Sequence, residues 1–192
     1  MDSIKKIRNE IRKDPANKVF QDEGYEPLFV ANSSAKLVII GQAPGIKAQT
    51  AGIAWQDESG KRLIEWLGID EETFRDETKI SLLPMDFYYQ GKGKSGDLPP
   101  RREFADKWHP RILAEMKDIK LIVLTGQYSQ KYYLGRSVKK NLTETVKAYK
   151  EYLPKYFPIV HPSPLNFRWL GKNPWFEEEV IPELQKRVAA LW

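Results

Sequence analysis

The chain has 192 residues, 41% of them hydrophobic and 30% charged, which fits one folded domain and is too apolar for a disordered chain. It contains no cysteine, which excludes disulfides, a cysteine nucleophile, thiolate zinc sites and cysteine-bound iron–sulfur clusters. The formal net charge of +5 favours an anionic partner such as nucleic acid. We therefore expect residues 1–192 to form a single basic domain.

The apolar runs of the chain are short. The longest, at 37–40 and 121–124, are far below the roughly 20 residues that cross a bilayer. Residues 1–20 alternate charged and aliphatic side chains and lack the apolar stretch and cleavage site of a secretory signal. We expect a monomeric cytoplasmic protein with no membrane segment, no metal site and no cofactor.

Helical and extended patterns alternate along the chain. Isoleucines at helical spacing predict an amphipathic helix at 2–13, outside the main sheet. After a connection at 14–35, the apolar run at 36–40 predicts a strand that is buried on both faces. The pattern at 59–67 predicts a helix that Ser59 caps.

The remaining elements continue this alternation. Strands are predicted at 79–83, 121–124 and 157–160, and helices at 104–116, with a break or start near Pro110, from Ser129 and at 175–191. Strands separated by helices indicate parallel pairing with helices on both faces. The sequence therefore predicts an α/β fold, a three-layer α/β/α sandwich with a central four-stranded parallel sheet.

Two polar, turn-rich loops follow predicted strands. Gly41-Gln-Ala-Pro-Gly45 comes after the first strand, and His161-Pro-Ser-Pro-Leu-Asn166 after the fourth. Each loop taken alone is compatible with a tight turn that uses Gly and Pro for their backbone angles. Ligands of open parallel sheets, however, bind at the carboxyl ends of the strands, where both loops are expected. The pair therefore indicates a site.

These segments resemble motifs of the uracil-DNA glycosylase superfamily. Residues 41–45 are similar to its first motif, of the type G-Q-D-P-Y or G-E-A-P-G, and His161-Pro-Ser-Pro164 is similar to its second. Gly52-Ile-Ala-Trp55 occupies the place of the aromatic segment that follows the first motif, and residues 126–131 resemble the exit of the third strand. The resemblance spans roughly residues 36–190.

The resemblance implies roles for these residues. His161 would donate a hydrogen bond to the departing base as negative charge develops on it, and Gln42 would orient a water molecule. Trp55 would stack on the flipped base. The other residues expected to bind the base are Gly41, Ala43, Pro44 and Gly45.

The resemblance and the basic loop also predict DNA contacts. Leu165 would fill the space that the flipped base leaves, next to Ser163, Pro164, Asn166 and Arg168. The turn-rich stretch 91–102 has the composition of a loop that grips the phosphate backbone, with two tyrosines just upstream. The stretch and its upstream neighbours contribute the candidate contacts Tyr88, Tyr89, Lys92, Lys94, Arg101 and Arg102.

The sequence departs from the family pattern in three places. Ala43 stands where the G-Q-D-P-Y motif has its water-activating Asp, and Gln42 cannot accept a proton. Asp57 and Glu58 are the nearest carboxylates, but the simpler explanation is that they are acidic residues favoured at a helix start. In place of the base-reading Asn of strand two, the segment 81–86 offers Ser81 and Asp86. The G-E-A-P-G branch holds an iron–sulfur cluster through four cysteines, and since this chain has no cysteine, no such cluster is expected here.

We therefore expect a monofunctional DNA glycosylase that removes uracil or a related deaminated base from DNA. Two alternatives remain open from the sequence. One is a catalytically silent nucleic-acid-binding protein with the same fold, suggested by Ala43 and Gln42. The other is a hydrolase of free nucleosides, whose turnover would not depend on DNA length or salt.

Overall fold

The structure is a computed structural model that describes residues 3–192. Its centre is a parallel sheet of four strands in the order β2-β1-β3-β4. The strands are β1 Leu37–Ile40, β2 Ile80–Leu82, β3 Leu121–Thr125 and β4 Tyr156–Ile159. The α-helices are α1 Ser3–Lys13, α2 Lys18–Asp22, α3 Ile46–Ala51, α4 Glu58–Leu67, α5 Glu71–Arg75, α6 Phe104–Ala114, α7 Gln127–Leu134, α8 Leu142–Lys147, α9 Phe167–Lys172 and α10 Ile181–Ala189. The predicted fold class is confirmed.

Both faces of the sheet are covered, because successive side chains of a strand point to opposite sides. In β1, Leu37 and Ile39 join a hydrophobic cluster with residues of α4 and α10. Val38 and Ile40 join a second cluster with residues of α1 and α6. All four side chains are fully buried, as expected for a strand inside a parallel sheet.

The predicted elements differ from the observed ones mainly in short helices and helix ends. The cap of α4 is Asp57, whose Oδ1 accepts a hydrogen bond from the Gly60 amide at 2.9 Å, and not Ser59 as predicted. The helix predicted at 104–116 continues through Pro110 without a break. The last predicted helix begins with a π-helical turn at Phe176–Val180 before α10. Residue 2, the first of the helix predicted at 2–13, lies outside the described residues.

The strand order places a crevice at one end of the sheet. The chain passes from β1 to its neighbour β2 on one side of the sheet's centre, and from β3 to its neighbour β4 on the other side. The loops after β1 and β3 therefore diverge, and in open α/β sheets such a point is where ligands bind. No helix within residues 3–192 combines the length and apolar character needed to cross a bilayer.

A buried histidine joins α6 to the segment after β2. His109 Nε2 lies 2.9 Å from the Pro84 carbonyl oxygen, and Nδ1 lies 2.6 Å from the Tyr133 hydroxyl. Because a carbonyl only accepts, Nε2 donates to Pro84 and Nδ1 accepts from Tyr133 in the neutral ring. Burial lowers the pKa of His109 to about 4.

This histidine makes the stability of the fold depend on pH. Between its ordinary pKa of 6.5 and about 4, the unfolded chain binds a proton at His109 that the folded chain does not, so acidification favours unfolding. We expect the free energy of unfolding to fall by about 2 kcal/mol between pH 7 and pH 5 from this residue. Urea denaturation at both pH values measures it.

The variant His109→Gln should show a smaller acid-induced loss than the wild type, whatever its stability at pH 7. Part of the remaining dependence of the unfolding free energy on pH comes from His161, because burial also lowers the pKa of that residue. The variant His161→Gln removes that part. Equal slopes in wild type and His109→Gln would contradict the assignment.

Candidate active site

A cavity of about 520 Å³ opens at the carboxyl ends of the strands. Residues from four stretches, 41–45, 54–59, 89–98 and 161–166, form most of its wall. Its volume is in the range of small-molecule sites. A second cleft of about 540 Å³ contains none of the predicted site residues. The structure thus brings the two motif loops together.

The loop after β1 fits closely against the cavity wall. A Cβ atom added to Gly41 would lie 2.9 Å from Cζ2 of Trp55, so only glycine allows this approach. The Gly41 and Gln42 carbonyl oxygens accept hydrogen bonds from the amides of Met85 and Asp86. The segment after β2 therefore fixes the backbone of the first motif.

The Gln42 side chain is tied to a neighbouring loop. Its Nε2 donates to the carbonyl oxygen of Leu98 at 3.2 Å. The amide nitrogen is therefore engaged, and the side-chain oxygen is the atom that could hold a water molecule. Ala43, Pro44 and Gly45 line the cavity and carry no ionisable group.

Trp55 forms one wall of the cavity in a strained backbone conformation. Its φ is 58°, and it is the only non-glycine residue within 3–192 with positive φ. Such a conformation costs on the order of 1–3 kcal/mol and is typical of functional sites. The half-buried ring stacks on the His161 ring, with centroids 5.5 Å apart and an angle of 27° between the planes.

His161 is held in one orientation and one tautomer. Its Nδ1 accepts a hydrogen bond from the Ser163 amide at 3.2 Å, and its backbone carbonyl accepts from Asn166 Nδ2 at 2.8 Å. Burial lowers the pKa of His161, although the nearby Asp57 charge opposes this shift. The ring is therefore neutral at pH 7, and Nε2 carries the proton because Nδ1 accepts.

The loop after β4 carries exposed apolar side chains beside the cavity. Ser163 Oγ accepts from the Leu165 amide and caps a 3₁₀ turn at Pro164–Asn166. Leu165 is 80% exposed and Phe167 is 62% exposed. The Arg168 guanidinium lies 5.6 Å from the centre of the Phe167 ring.

A family model described as the uracil DNA glycosylase superfamily matches residues 29–185, which is most of the chain. The chain belongs to this superfamily. Among solved structures, the chain is similar to the solution NMR structure of a candidate uracil DNA glycosylase from Methanosarcina acetivorans. The sequence identity is 11%, the TM-score is 0.46, and the match covers 83% of this chain and 94% of that chain.

The basic stretch 91–102 divides into two structural parts. Residues 91–98 form a small hairpin, in which the Gly93 amide donates to the Gly96 carbonyl and the Leu98 amide donates to the Gly91 carbonyl. Lys92 and Lys94 lie on this hairpin and are exposed, as is Arg102 beyond it. All three remain candidates for the predicted phosphate contacts, and Lys92 also lines the cavity.

Arg101 has internal contacts instead. Its guanidinium donates to both carboxylate oxygens of the fully buried Asp86, at 2.7 and 2.8 Å, and to Asn17 Oδ1 at 2.8 Å. Tyr88 is also internal, since it is fully buried and stacks on Phe20. Both were predicted as DNA contacts, but a side chain enclosed in this way supports the loop from inside.

Sequence reasoning missed one residue that supports Trp55, Gly60, and one that lines the cavity, Asp97. Gly60 accommodates the Trp55 carbonyl, since a Cβ atom added there would lie 1.8 Å from that oxygen. Asp97 lines the cavity from the hairpin 91–98. The sequence feature that could have revealed Asp97 is that it is the lone acidic residue in the basic stretch 91–102. Ser81 is fully buried in β2 and does not line the cavity, and its Oγ accepts a hydrogen bond from the Asn32 amide.

The described residues offer no obvious metal site. Among residues 3–192, no group of three or more His, Asp or Glu side chains lies in an arrangement that could hold a metal ion. The polar groups that converge on the cavity are side chains that donate or accept hydrogen bonds, with two carboxylates, Asp57 and Asp97. The chemistry available to these residues is hydrogen bonding, proton transfer and stacking.

Proposed function

We propose that the protein is a monofunctional DNA glycosylase that hydrolyses the N-glycosidic bond of uracil or a related deaminated base. One observation carries this proposal. A neutral His161 lines a cavity large enough for a base, its Nδ1 is occupied by the Ser163 amide, and its Nε2–H is left as the donor. Membership of the superfamily supports it.

The proposed chemistry follows from where charge develops. As the C1′–N bond breaks, its electron pair goes to the base, and positive charge remains on the sugar. The His161 Nε2–H donates to the anionic oxygen of the base, and a fixed donor in a site of low dielectric stabilises that charge more than water does. The Trp55 ring, whose plane lies at 27° to that of the His161 ring, offers a face on which the base stacks.

The proposed DNA contacts surround the cavity. Lys92, Lys94, Arg102 and Arg168 are exposed cations that can neutralise phosphates. Leu165 projects into solvent from the loop after β4, and an apolar side chain exposed there gains burial by entering the gap that a flipped base leaves. The unstacking of the base, which costs a few kcal/mol, is offset by these contacts.

The test is a panel of labelled oligonucleotides that carry uracil, hypoxanthine, xanthine or thymine opposite guanine, in single and double strands. We expect alkali-dependent strand cleavage for at least one base. Borohydride should trap no protein–DNA adduct, because water and not a lysine amine is the nucleophile. Release from free nucleosides at a rate that does not depend on salt would instead support a nucleoside hydrolase.

A catalytically silent binding protein is the second candidate, and Ala43 on the motif-one loop is the observation that favours it. It predicts tight binding to uracil-bearing or abasic DNA with no product from any oligonucleotide, even with the protein in large excess. That outcome would contradict the proposed glycosylase.

A further inference from the structure

We propose that Asp97 is the catalytic carboxylate of this site, the group that orients the attacking water and takes its proton in place of the Asp that the motif-one loop lacks. The proposal rests on the glycosylase function proposed above. It assigns to the hairpin 91–98 a role that the superfamily motifs give to the loop after β1.

The position of Asp97 carries the proposal. The residue lines the same cavity as Gln42, Trp55 and His161. Its Oδ2 lies 3.9 Å from the place that a Cβ atom on Gly45 would occupy. The carboxylate therefore faces the loop that follows β1, and the absence of a side chain at Gly45 leaves room for a small molecule such as water between them.

The hairpin holds this carboxylate in place. Lys92 and Asp97 form a bridge between its two arms, and Lys92 Nζ lies 3.6 Å from Oδ1. The neighbouring Leu98 carbonyl accepts the Gln42 side-chain hydrogen bond, which ties the hairpin to the first motif. One carboxylate oxygen thus faces the lysine, and the other faces the cavity.

Stability does not explain why an acidic residue lies here. The Lys92 and Asp97 side chains are 77% and 40% exposed, and an ion pair so open to solvent contributes little. The cavity's other carboxylate, Asp57, has a structural reason for its position, because its Oδ1 caps α4. Asp97 is therefore the better candidate for the chemistry.

The step balances with water as the only co-reactant. The water oxygen bonds to C1′ of the flipped nucleotide while the C1′–N bond breaks and its electron pair leaves with the base. Asp97 takes the proton that the water loses, and Gln42 Oε1 accepts the other hydrogen of the water as a hydrogen bond. The negative carboxylate also stabilises the positive charge on the sugar before the new bond forms.

The experiment compares single-turnover rates of base release by the wild type, Asp97→Asn, Asp97→Ala and Asp57→Asn, on the base that the wild type removes. Asp118→Asn is the matched control, since this exposed acidic residue lies away from the cavity. We expect Asp97→Asn to lower the rate by about 100-fold or more, with no loss of affinity for the DNA, since removal of a negative charge beside Lys92 does not weaken binding to phosphates. Added formate should restore part of the rate of Asp97→Ala and none of the rate of Asp97→Asn.

Each other outcome overturns the assignment. A rate for Asp97→Asn close to that of Asp118→Asn, or a loss of DNA affinity at unchanged rate, would reduce Asp97 to a loop residue while the glycosylase function stands. A larger loss in Asp57→Asn than in Asp97→Asn would move the role to Asp57. A wild type that releases no base contradicts the proposed function itself, and the inference with it.

Discussion

His161→Ala is expected to lower the single-turnover rate of base release by about 10²–10³-fold, the loss that follows removal of one preorganised donor to a developing anion. DNA binding should persist, because the substitution leaves the exposed cations and Leu165 unchanged. The two properties are separable by measuring cleavage of a lesion-bearing oligonucleotide and, in parallel, its fluorescence anisotropy.

The control for this prediction is His161→Gln. Because His161 acts as a neutral N–H donor, an amide can replace the donor without adding charge, so this variant should keep more activity than the alanine variant. If His161 instead acted as a cation, both variants would lack the charge and should be equally inactive. Unchanged activity in His161→Ala would remove this residue from the mechanism.

Gly60→Ala is expected to lower the free energy of unfolding by about 3 kcal/mol or more. The added methyl would lie 1.8 Å from the Trp55 carbonyl oxygen and 3.1 Å from the Trp55 Cβ, and neither the start of α4 nor the residue with positive φ can give way freely. Urea denaturation measures the loss.

The matched control is Gly171→Ala in α9. A Cβ atom there meets nothing within 4 Å, so the stability should stay the same or rise by up to about 1 kcal/mol, since alanine favours helix over glycine. In Gly60→Ala, displacement of Trp55 should also disturb its stacking on His161 and reduce base release. Equal stability of the two variants would show that the turn at Trp55 adapts at little cost.

The fold could be predicted from the sequence where a pattern was long or strongly apolar. The runs of β1 and β3 and the isoleucine stripe of α1 are patterns of this kind, and all three elements form as expected. The helices α3 and α8 have six residues each, fewer than two turns, so no periodicity could reveal them. The cap of α4 was misplaced by two residues because Asp57 and Ser59 are both suitable caps.

The candidate site was predictable where a motif carried it and not where tertiary contacts did. His161, Trp55 and the loop after β1 do line one cavity. The role of Arg101 depends on Asp86, 15 residues away, and on Asn17, 84 residues away, and composition cannot reveal such pairs. Asp97 was overlooked since its stretch was interpreted through its basic residues.

The contacts of Arg101 show that residues before the family match, which begins at residue 29, help to support the cavity. The guanidinium bonds to Asn17, while the isoleucines of α1 share a hydrophobic cluster with Val38 and Ile40 of β1. A chain trimmed to the matched region would lose the isoleucines of α1 from the cluster on one face of the sheet, and Arg101 would lose its contact with Asn17 while keeping those with Asp86. Such a fragment would carry an apolar surface prone to self-association, and its inactivity would say nothing about the chemistry of the intact protein.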